Sequence, residues 1–296
     1  MNNTTIQVLT EGFGKPQPRR PGTFVWEVLP ATDSDGLPYL GALVNNDAVS
    51  LQMRLDMNCT VKGLTAQTPD GWRILRRSMC FLLAMAVRRS LPNALFRIRH
   101  SLGDGMFFTL REPTESPDTP IAHEVIHALE KEMRNLVSED LAIESWACAY
   151  EEAVAMFAEA GQHDKVGLLR HRNTPSVDII KCDGFTELYQ GPIASHTGIL
   201  GTFSLIPYED GCIMQIPSQD KSDTVSAFSP HPELMRIHRE HAKWGAIMGI
   251  QSVGELNEAV YELRISDIIQ MSEALHDKNF AKIADRIATR SPIPRL

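Results

Sequence analysis

The sequence has no C-x-x-C pair, no G-x-x-x-x-G-K-[ST] loop and no long apolar run, and each absence closes off a class of function. Its five cysteines, Cys59, Cys80, Cys148, Cys182 and Cys212, are odd in number and widely spaced. That pattern suits reduced thiols in a cytoplasmic protein, not a disulfide framework or a zinc ribbon. Without a phosphate-cradling glycine loop, the chain is not expected to hold ATP phosphates or magnesium, so no kinase activity is expected of it. Gly103-x-Gly105 reads as a turn and lacks the third glycine of a dinucleotide fingerprint. The longest apolar run, residues 79–87, is far below the roughly 18 residues that span a bilayer. Met1-Asn2-Asn3-Thr4-Thr5 offers neither a basic nor an apolar leader region, so no secretory signal is expected and no membrane partner.

What is present is ordinary globular material, 43% apolar and 22% charged over 296 residues, enough for two or three units. The net charge of −8 hides a polarity. Residues 62–111 carry nine Lys and Arg against two Asp, a net +7, whereas residues 112–160 carry two bases against twelve acids, a net −10. Two readings of the arginines stay open: an electropositive face for a polyanion, or solvation of the outer side of an apolar helix.

Apolar spacing predicts an α+β chain. A strand over 4–9, a loop over 11–21, a short helix over 22–29, a hairpin over 40–51 turning at Asn45-Asn46-Asp47 and a strand over 59–64 suggest a small mixed sheet with one helix across it. A nearly all-apolar helix over 72–90 follows and ends at Pro92. Two strands then flank Gly103-Asp104-Gly105. Helices are expected over 121–136, 145–160 and 162–170, strands over 177–180, 201–206 and 211–216, and helices again beyond Pro217, with apolar stripes through Leu234, Ile237 and Trp244 and through Ile268, Ile283 and Ile287.

Two polar stretches stand out: Arg99-His100-Ser101-Leu102-Gly103-Asp104-Gly105, set between apolar runs, and Tyr189-Gln190-Gly191-Pro192-Ile193, a turn signal after an apolar strand. A third, His123-Glu124-Val125-Ile126-His127, matches the zinc-protease pattern, which on a helix would place two imidazoles on one face beside a glutamate. It lacks the continuation that supplies a third ligand, and no metal ligand set is assigned. Cys182 beside Asp183 reads as a buried thiol, not a nucleophile, because no histidine is fixed near it in sequence.

The order of elements, with Leu43-Val44-Asn45-Asn46-Asp47 ahead of a buried helix and His100-Ser101-Leu102-Gly103-Asp104-Gly105 after it, resembles the TGS domain and second additional domain of threonyl-tRNA synthetase. Glu130-Lys131-Glu132-Met133-Arg134, Glu139-Asp140-Leu141, Tyr150-Glu151-Glu152-Ala153, the 182–198 stretch and Thr202-Phe203-Ser204-Leu205 extend the likeness. The tail, with Ser272-Glu273-Ala274-Leu275-His276 and Ile283-Ala284-Asp285-Arg286-Ile287, is similar to uridine-kinase-type nucleoside kinases, which carry the same two domains ahead of a kinase domain.

The resemblance implies a TGS-like β-grasp domain at 1–66, an editing-like α+β domain at 67–216 and a helical linker at 217–296 leading toward a kinase domain in cis, with ATP and magnesium only where that domain follows. The synthetase domain hydrolyses serine mischarged onto tRNA for threonine. The two amino acids differ by one methyl, worth only about 1–3 kcal/mol in a pocket, so a second, hydrolytic site is needed. Its chemistry uses H-x-x-x-H and C-x-G-P-H. Here His100 is kept, Asp104 stands at the second histidine, Tyr189 at the cysteine and Ile193 at the last histidine, with His196 three residues on. The resemblance therefore implies a degenerate pocket of His100, Asp104, Tyr189 and His196. The expected ligand is RNA or tRNA, or a nucleotide, and not DNA, with Arg73, Arg76, Arg77, Arg88, Arg89, Arg97 and Arg99 neutralising phosphates. A free-standing hydrolase of mischarged seryl-tRNA and, behind it, a zinc peptidase are the alternatives.

Overall fold

A computed structural model describes residues 5–103, 105–116, 119–221 and 224–289. The chain divides into two compact units, residues 1–147 with 178–229, and residues 148–177 with 230–296.

Period-two burial builds the first sheet. β1 (Ile6–Thr10) turns Ile6 and Val8 inward, and β2 (Gln17–Arg19) pairs antiparallel to it where the sequence suggests only loop. Pro18 is tolerated there because β2 is an edge strand. β3 (Thr23–Phe24) and a 3-10 turn, Val25–Glu27, replace the expected short helix. The main chain of this stretch is committed elsewhere: Val25 and Trp26 donate their N–H groups to the carbonyls of Met53 and Leu51. β4 (Gly41–Val44) and β5 (Asp47–Val49) form a hairpin, with Asn45 and Asn46 at φ 50° and 71°. β6 (Arg54–Leu55) pairs with β3, and β7 (Cys59–Leu64) runs parallel to β1 and antiparallel to β4, giving the order β2-β1-β7-β4-β5.

α1 (Pro69–Ser90) is the longest helix of this unit. Thr68 caps it, its hydroxyl accepting from the Gly71 N–H at 3.1 Å, and Pro69 sits where a missing N–H does no harm. Gly71 has no substitute, since a Cβ there would lie 2.0 Å from the Thr65 carbonyl oxygen. The helix is buried nearly all round: Ile74, Met79, Leu82, Leu83, Met85 and Ala86 are inaccessible or nearly so.

The chain continues through β8 (Leu95–Leu102), β9 (Gly105–Arg111), α2 (His123–Glu139) and β10 (Glu144–Ala149), the last replacing the first turns of an expected helix. It passes through the second unit as α3 (Tyr150–Glu159) and α4 (His163–Leu169), then returns as β11 (Ser176–Cys182), β12 (Phe185–Leu188), β13 (Ser204–Tyr208) and β14 (Gly211–Gln215). The strand orders are β10-β11-β12 and β13-β14-β9-β8. One face of the four-stranded sheet, with Met106, Phe108, Leu110, Cys212 and Met214, shares a core with α1 and with Ile126, Leu129, Met133 and Leu136 of α2. The chain is thus mixed α+β with several sheets, as its sequence predicts.

The second unit is helical, adding α5 (Pro232–Ile247), α6 (Val253–Tyr261) and α7 (Ile265–Ala288) to α3 and α4. Glu258 of α6 accepts hydrogen bonds from Arg170 and His171, and His171 stacks on Tyr261 at 4.2 Å. The apolar stripes of the last helices are largely exposed: Leu234, Ile237, Phe280, Ile283 and Ile287 all face outward, and of the α7 residues only Ile268 is buried. Among the described residues, no helix is long and apolar enough to cross a membrane.

Removing the Leu82 side chain would leave a void where α1 meets both α2 and the four-stranded sheet. Leu82→Ala is expected to lower unfolding free energy by about 2–5 kcal/mol in urea titrations followed by circular dichroism. A loss under about 1 kcal/mol would show that α1 is not the centre of this core.

Candidate functional site

The segment after β12 lies against α1. Tyr189 donates its N–H to the Asp178 carbonyl, and Gly191, at φ 123°, lies so near Arg77 that a Cβ would come within 2.9 Å of its guanidinium. Arg77 donates to the Pro192 carbonyl oxygen. Ser78, fully buried, accepts from the Ala194 N–H at 2.9 Å and donates to Ile74. The Ser50 hydroxyl reaches the Ile193 carbonyl, and the Ile193 side chain is 3% exposed, within the main core. Burial pushes the Tyr189 phenol up despite the opposing Arg77 charge, and burial pulls the Arg77 guanidinium down. The turn offers a phenol that stays protonated, an aliphatic side chain and a guanidinium committed to a carbonyl. None of these is a nucleophile or a base near neutral pH.

His196 is held by a different partner. Its Nδ1 meets the Asp140 carboxylate, which also accepts from the Gly198 N–H at 3.0 Å. Asp140 is the left-handed C-cap of α2, and Thr197 bonds both the Leu136 carbonyl and the Leu141 N–H. These contacts clamp residues 195–198 to the end of α2. The hydrogen bond from His196 holds the Asp140 carboxyl below its usual range.

His100 faces the other way. A bulge between Ile98 and His100 inserts Arg99, so that His100 pairs with Phe107 and not with Met106. Its ring lies 5.4 Å from Phe107, which continues to Tyr208 and Phe228 at 6.5 and 5.2 Å. Residues paired across an antiparallel ladder share a face, so His100 stands on the sheet face opposite Met106, Phe108 and α1. The structure therefore does not gather His100, Tyr189 and His196 into one pocket. Asp104 lies outside the described residues.

The arginines also separate. Arg89 is held by Glu132, Glu139 and Asp183, whose hydrogen bonds keep its charge more firmly than usual. Arg73 pairs with Asp70, Arg77 is half-buried and bonded to the Pro192 carbonyl, Arg88 donates to the Pro92 carbonyl, and Arg76 donates to the Ser101 hydroxyl while lying over the Trp72 ring. Arg97 and Arg99 differ from these. Arg97 pairs with Thr109 and Leu95 with Arg111 across β8 and β9, and Arg99 Nε donates to the Thr109 hydroxyl at 3.2 Å. Arg97 and Arg99 of the edge strand β8 thus share the outer face with Arg111 of the neighbouring β9, which donates to the Glu115 carbonyl at 2.7 Å. Burial lowers the Arg99 pKa first, Arg97 and Arg111 repel its charge, and the nearby Asp210 opposes them. Sequence reasoning omitted Arg111; the strand alternation that places it beside Arg97 was its only signal.

The remaining motifs carry little chemistry. His123 and His127 are exposed on the first turns of α2, and among the described residues no three potential metal ligands cluster. Burial, with Asp183 adding to it, pushes the Cys182 thiol up to about 11, and burial takes Cys80 to about 11 and Cys212 to about 12. In the first sheet, a recess of about 780 Å³ is lined by Thr10, Glu11, Asn45, Asn46 and Lys62, with Glu11 and Lys62 paired to each other.

The chain is similar to threonine–tRNA ligases. It is 28% identical over 151 residues to that of Nitratidesulfovibrio vulgaris, 29% over 171 residues to that of Coxiella burnetii and 30% over 168 residues to that of Methylococcus capsulatus. These matches cover 51, 57 and 56% of this chain but only 23, 25 and 26% of the ligases, so the chain spans about a quarter of their length. No family model matches the sequence.

Two outcomes follow. A thiolate, not a thiol, reacts with alkylating agents, so native protein treated with iodoacetamide near pH 8 is expected to leave Cys80, Cys182 and Cys212 unmodified by peptide mass analysis. Rapid labelling of Cys182 would contradict its burial. For Asp140, the unfolded chain binds a proton more readily than the folded one, so its contribution is present above the ordinary carboxylate range and is lost as pH falls through the lowered value of the folded state. The difference in urea midpoint between wild type and Asp140→Asn is expected at neutral pH and should shrink as pH falls below the ordinary carboxylate range. A difference that stays constant down to acid pH would refute the hydrogen-bonded clamp.

Proposed function

We propose that this chain is a tRNA- or RNA-binding module that does not hydrolyse what it holds. The observation that carries the reading is the pair of exposed arginines Arg97 and Arg99 on one face of the sheet edge, with the half-buried Arg111 beside them and Asp210 as counter-charge. Such a group suits successive phosphates of a nucleic acid backbone. The similarity to threonine–tRNA ligases makes tRNA the natural choice among polyanions. In this reading residues 1–66 form a TGS-like β-grasp unit, residues 67–216 an editing-like unit whose ester-cleaving groups are lost, and residues 217–296 a link to a nucleoside kinase domain in cis. ATP and magnesium would belong to that kinase domain alone. Its setting is cytoplasmic.

A hydrolase of seryl-tRNA is the second reading. It is disfavoured because Tyr189 and Ile193 are packed against α1 and His196 is bonded to Asp140.

Binding of a tRNA transcript, followed by fluorescence anisotropy, is expected to weaken linearly in a log-log plot against salt. Arg97→Ala/Arg99→Ala should reduce that slope by about 1.5 and the affinity at about 0.1 M salt roughly tenfold. Arg73→Ala should change little, and incubation with labelled seryl-tRNA should release no serine above buffer. A wild-type protein that fails to bind, or that deacylates, overturns the proposal.

A further inference from the structure

The two-stranded β3–β6 ribbon and the turn that follows β3 carry an aromatic pair that neither the core nor the arginine face uses. Val25 is fully buried, while of its neighbours Trp26 is exposed and Phe24 half-buried. Their rings stack at 6.1 Å between centroids and 18° between planes, and the Arg54 guanidinium lies 4.3 Å above Phe24. Trp26 is 54% exposed, and Met53, whose carbonyl accepts from the Val25 N–H, is also open to solvent.

A single exposed aromatic side chain needs no explanation. This one is held in place. Trp26 N–H bonds the Leu51 carbonyl at 3.0 Å, Val25 N–H bonds the Met53 carbonyl at 3.0 Å, and the Phe24 N–H bonds the Glu27 carboxylate at 2.6 Å. The main chain beneath the rings is therefore set by the fold, and the Trp26 ring is stacked on Phe24 before anything binds, which lowers the entropy cost of further stacking. Residues 12–26 contain Lys15, Arg19 and Arg20 and no carboxylate, and the nearest acid in sequence to the pair, Glu27, is bonded to the Phe24 N–H. Arg20 is tied next to the pair, its carbonyl accepting from the Thr23 hydroxyl at 2.7 Å.

We propose that Phe24, Trp26 and Arg54 form a stacking platform for an unpaired nucleobase of RNA, with Arg20 for a flanking phosphate. An aromatic face accepts any base, a guanidinium adds a planar cation, and flanking bases suit the backbone. A protein partner would also use Trp and Met, but the Arg54 guanidinium over Phe24 and the basic residues Lys15, Arg19 and Arg20 ahead of it favour a polyanion.

This inference rests on the RNA-binding reading, and the test separates the two. Affinities of wild type, Trp26→Ala, Trp26→Phe and Arg54→Ala are measured for a short single-stranded RNA and for a blunt duplex of the same length. Loss of one base stack, worth about 1–3 kcal/mol, should weaken single-strand binding by Trp26→Ala roughly 5- to 150-fold, while Trp26→Phe keeps most of it. Duplex affinity and the salt slope should stay as in wild type, and single-stranded RNA should quench Trp26 fluorescence, seen as the difference between wild type and Trp26→Phe. If wild type binds RNA but Trp26→Ala binds the single strand equally well, the platform is no base site and its aromatic face serves a protein. If wild type binds no RNA, the underlying reading falls first. The exposed position of Trp26 keeps the variant folded, which circular dichroism checks.

Discussion

The burial of α1 nearly all round is the constraint on which the rest of this molecule depends. A helix that touches a sheet on one side, α2 on another and the end of the first sheet near Ile74 has little surface left for water between its charged ends. Whatever docks on it must be apolar or must satisfy its polar atoms against the helix itself. The turn at 189–194 does both: Ile193 and Ala194 enter the core, while Arg77 and Ser78 bond its main chain. That docking excludes an aqueous, polar cleft at the one place where the resemblance to an editing domain calls for one. Polar function is consequently displaced to surfaces that α1 does not own.

One inserted residue explains where part of it goes. Counting regularly along β8 from Ile98 opposite Phe108, His100 would face Met106 and look toward α1. The bulge at Arg99 reverses that alternation for the end of the strand, since a slip of one residue moves a side chain to the other face. His100 then joins Phe107, Tyr208 and Phe228 on the face where Arg97 and Arg99 already stand. A single local irregularity thus removes an imidazole from the interior. The acid-rich segment that follows uses its charge differently: Glu132 and Glu139, with Asp183, surround Arg89.

How much of this the sequence discloses depends on whether a signal is local. The Asn45-Asn46 hairpin, the apolar α1, the two strands around Gly103 and Gly105 and the general α+β class are legible because turn chemistry and periodicity act over a few residues. β2 is hidden by its prolines and β10 by an alanine-rich stretch that reads equally as helix. The candidate pocket was legible only as residue types. Which face His100 takes, that His196 answers to Asp140, and that Arg89 is saturated by three carboxylates while Arg97 and Arg99 are not, all depend on register and tertiary neighbours. The exposed stripes of α5 and α7 show the converse: amphipathic spacing is plain in the sequence, yet it does not say whether the stripe is covered.

The most direct test of this displacement is hydrogen–deuterium exchange of the full chain with and without a saturating tRNA transcript. The account predicts slowed exchange in peptides covering β8 and β9, residues 95–111, with residues 189–198 unchanged because they are already bonded to α1 and α2. Protection confined to 189–198 and absent from 95–111 would contradict it, since the nucleic acid would then occupy the very turn that the core is said to fill.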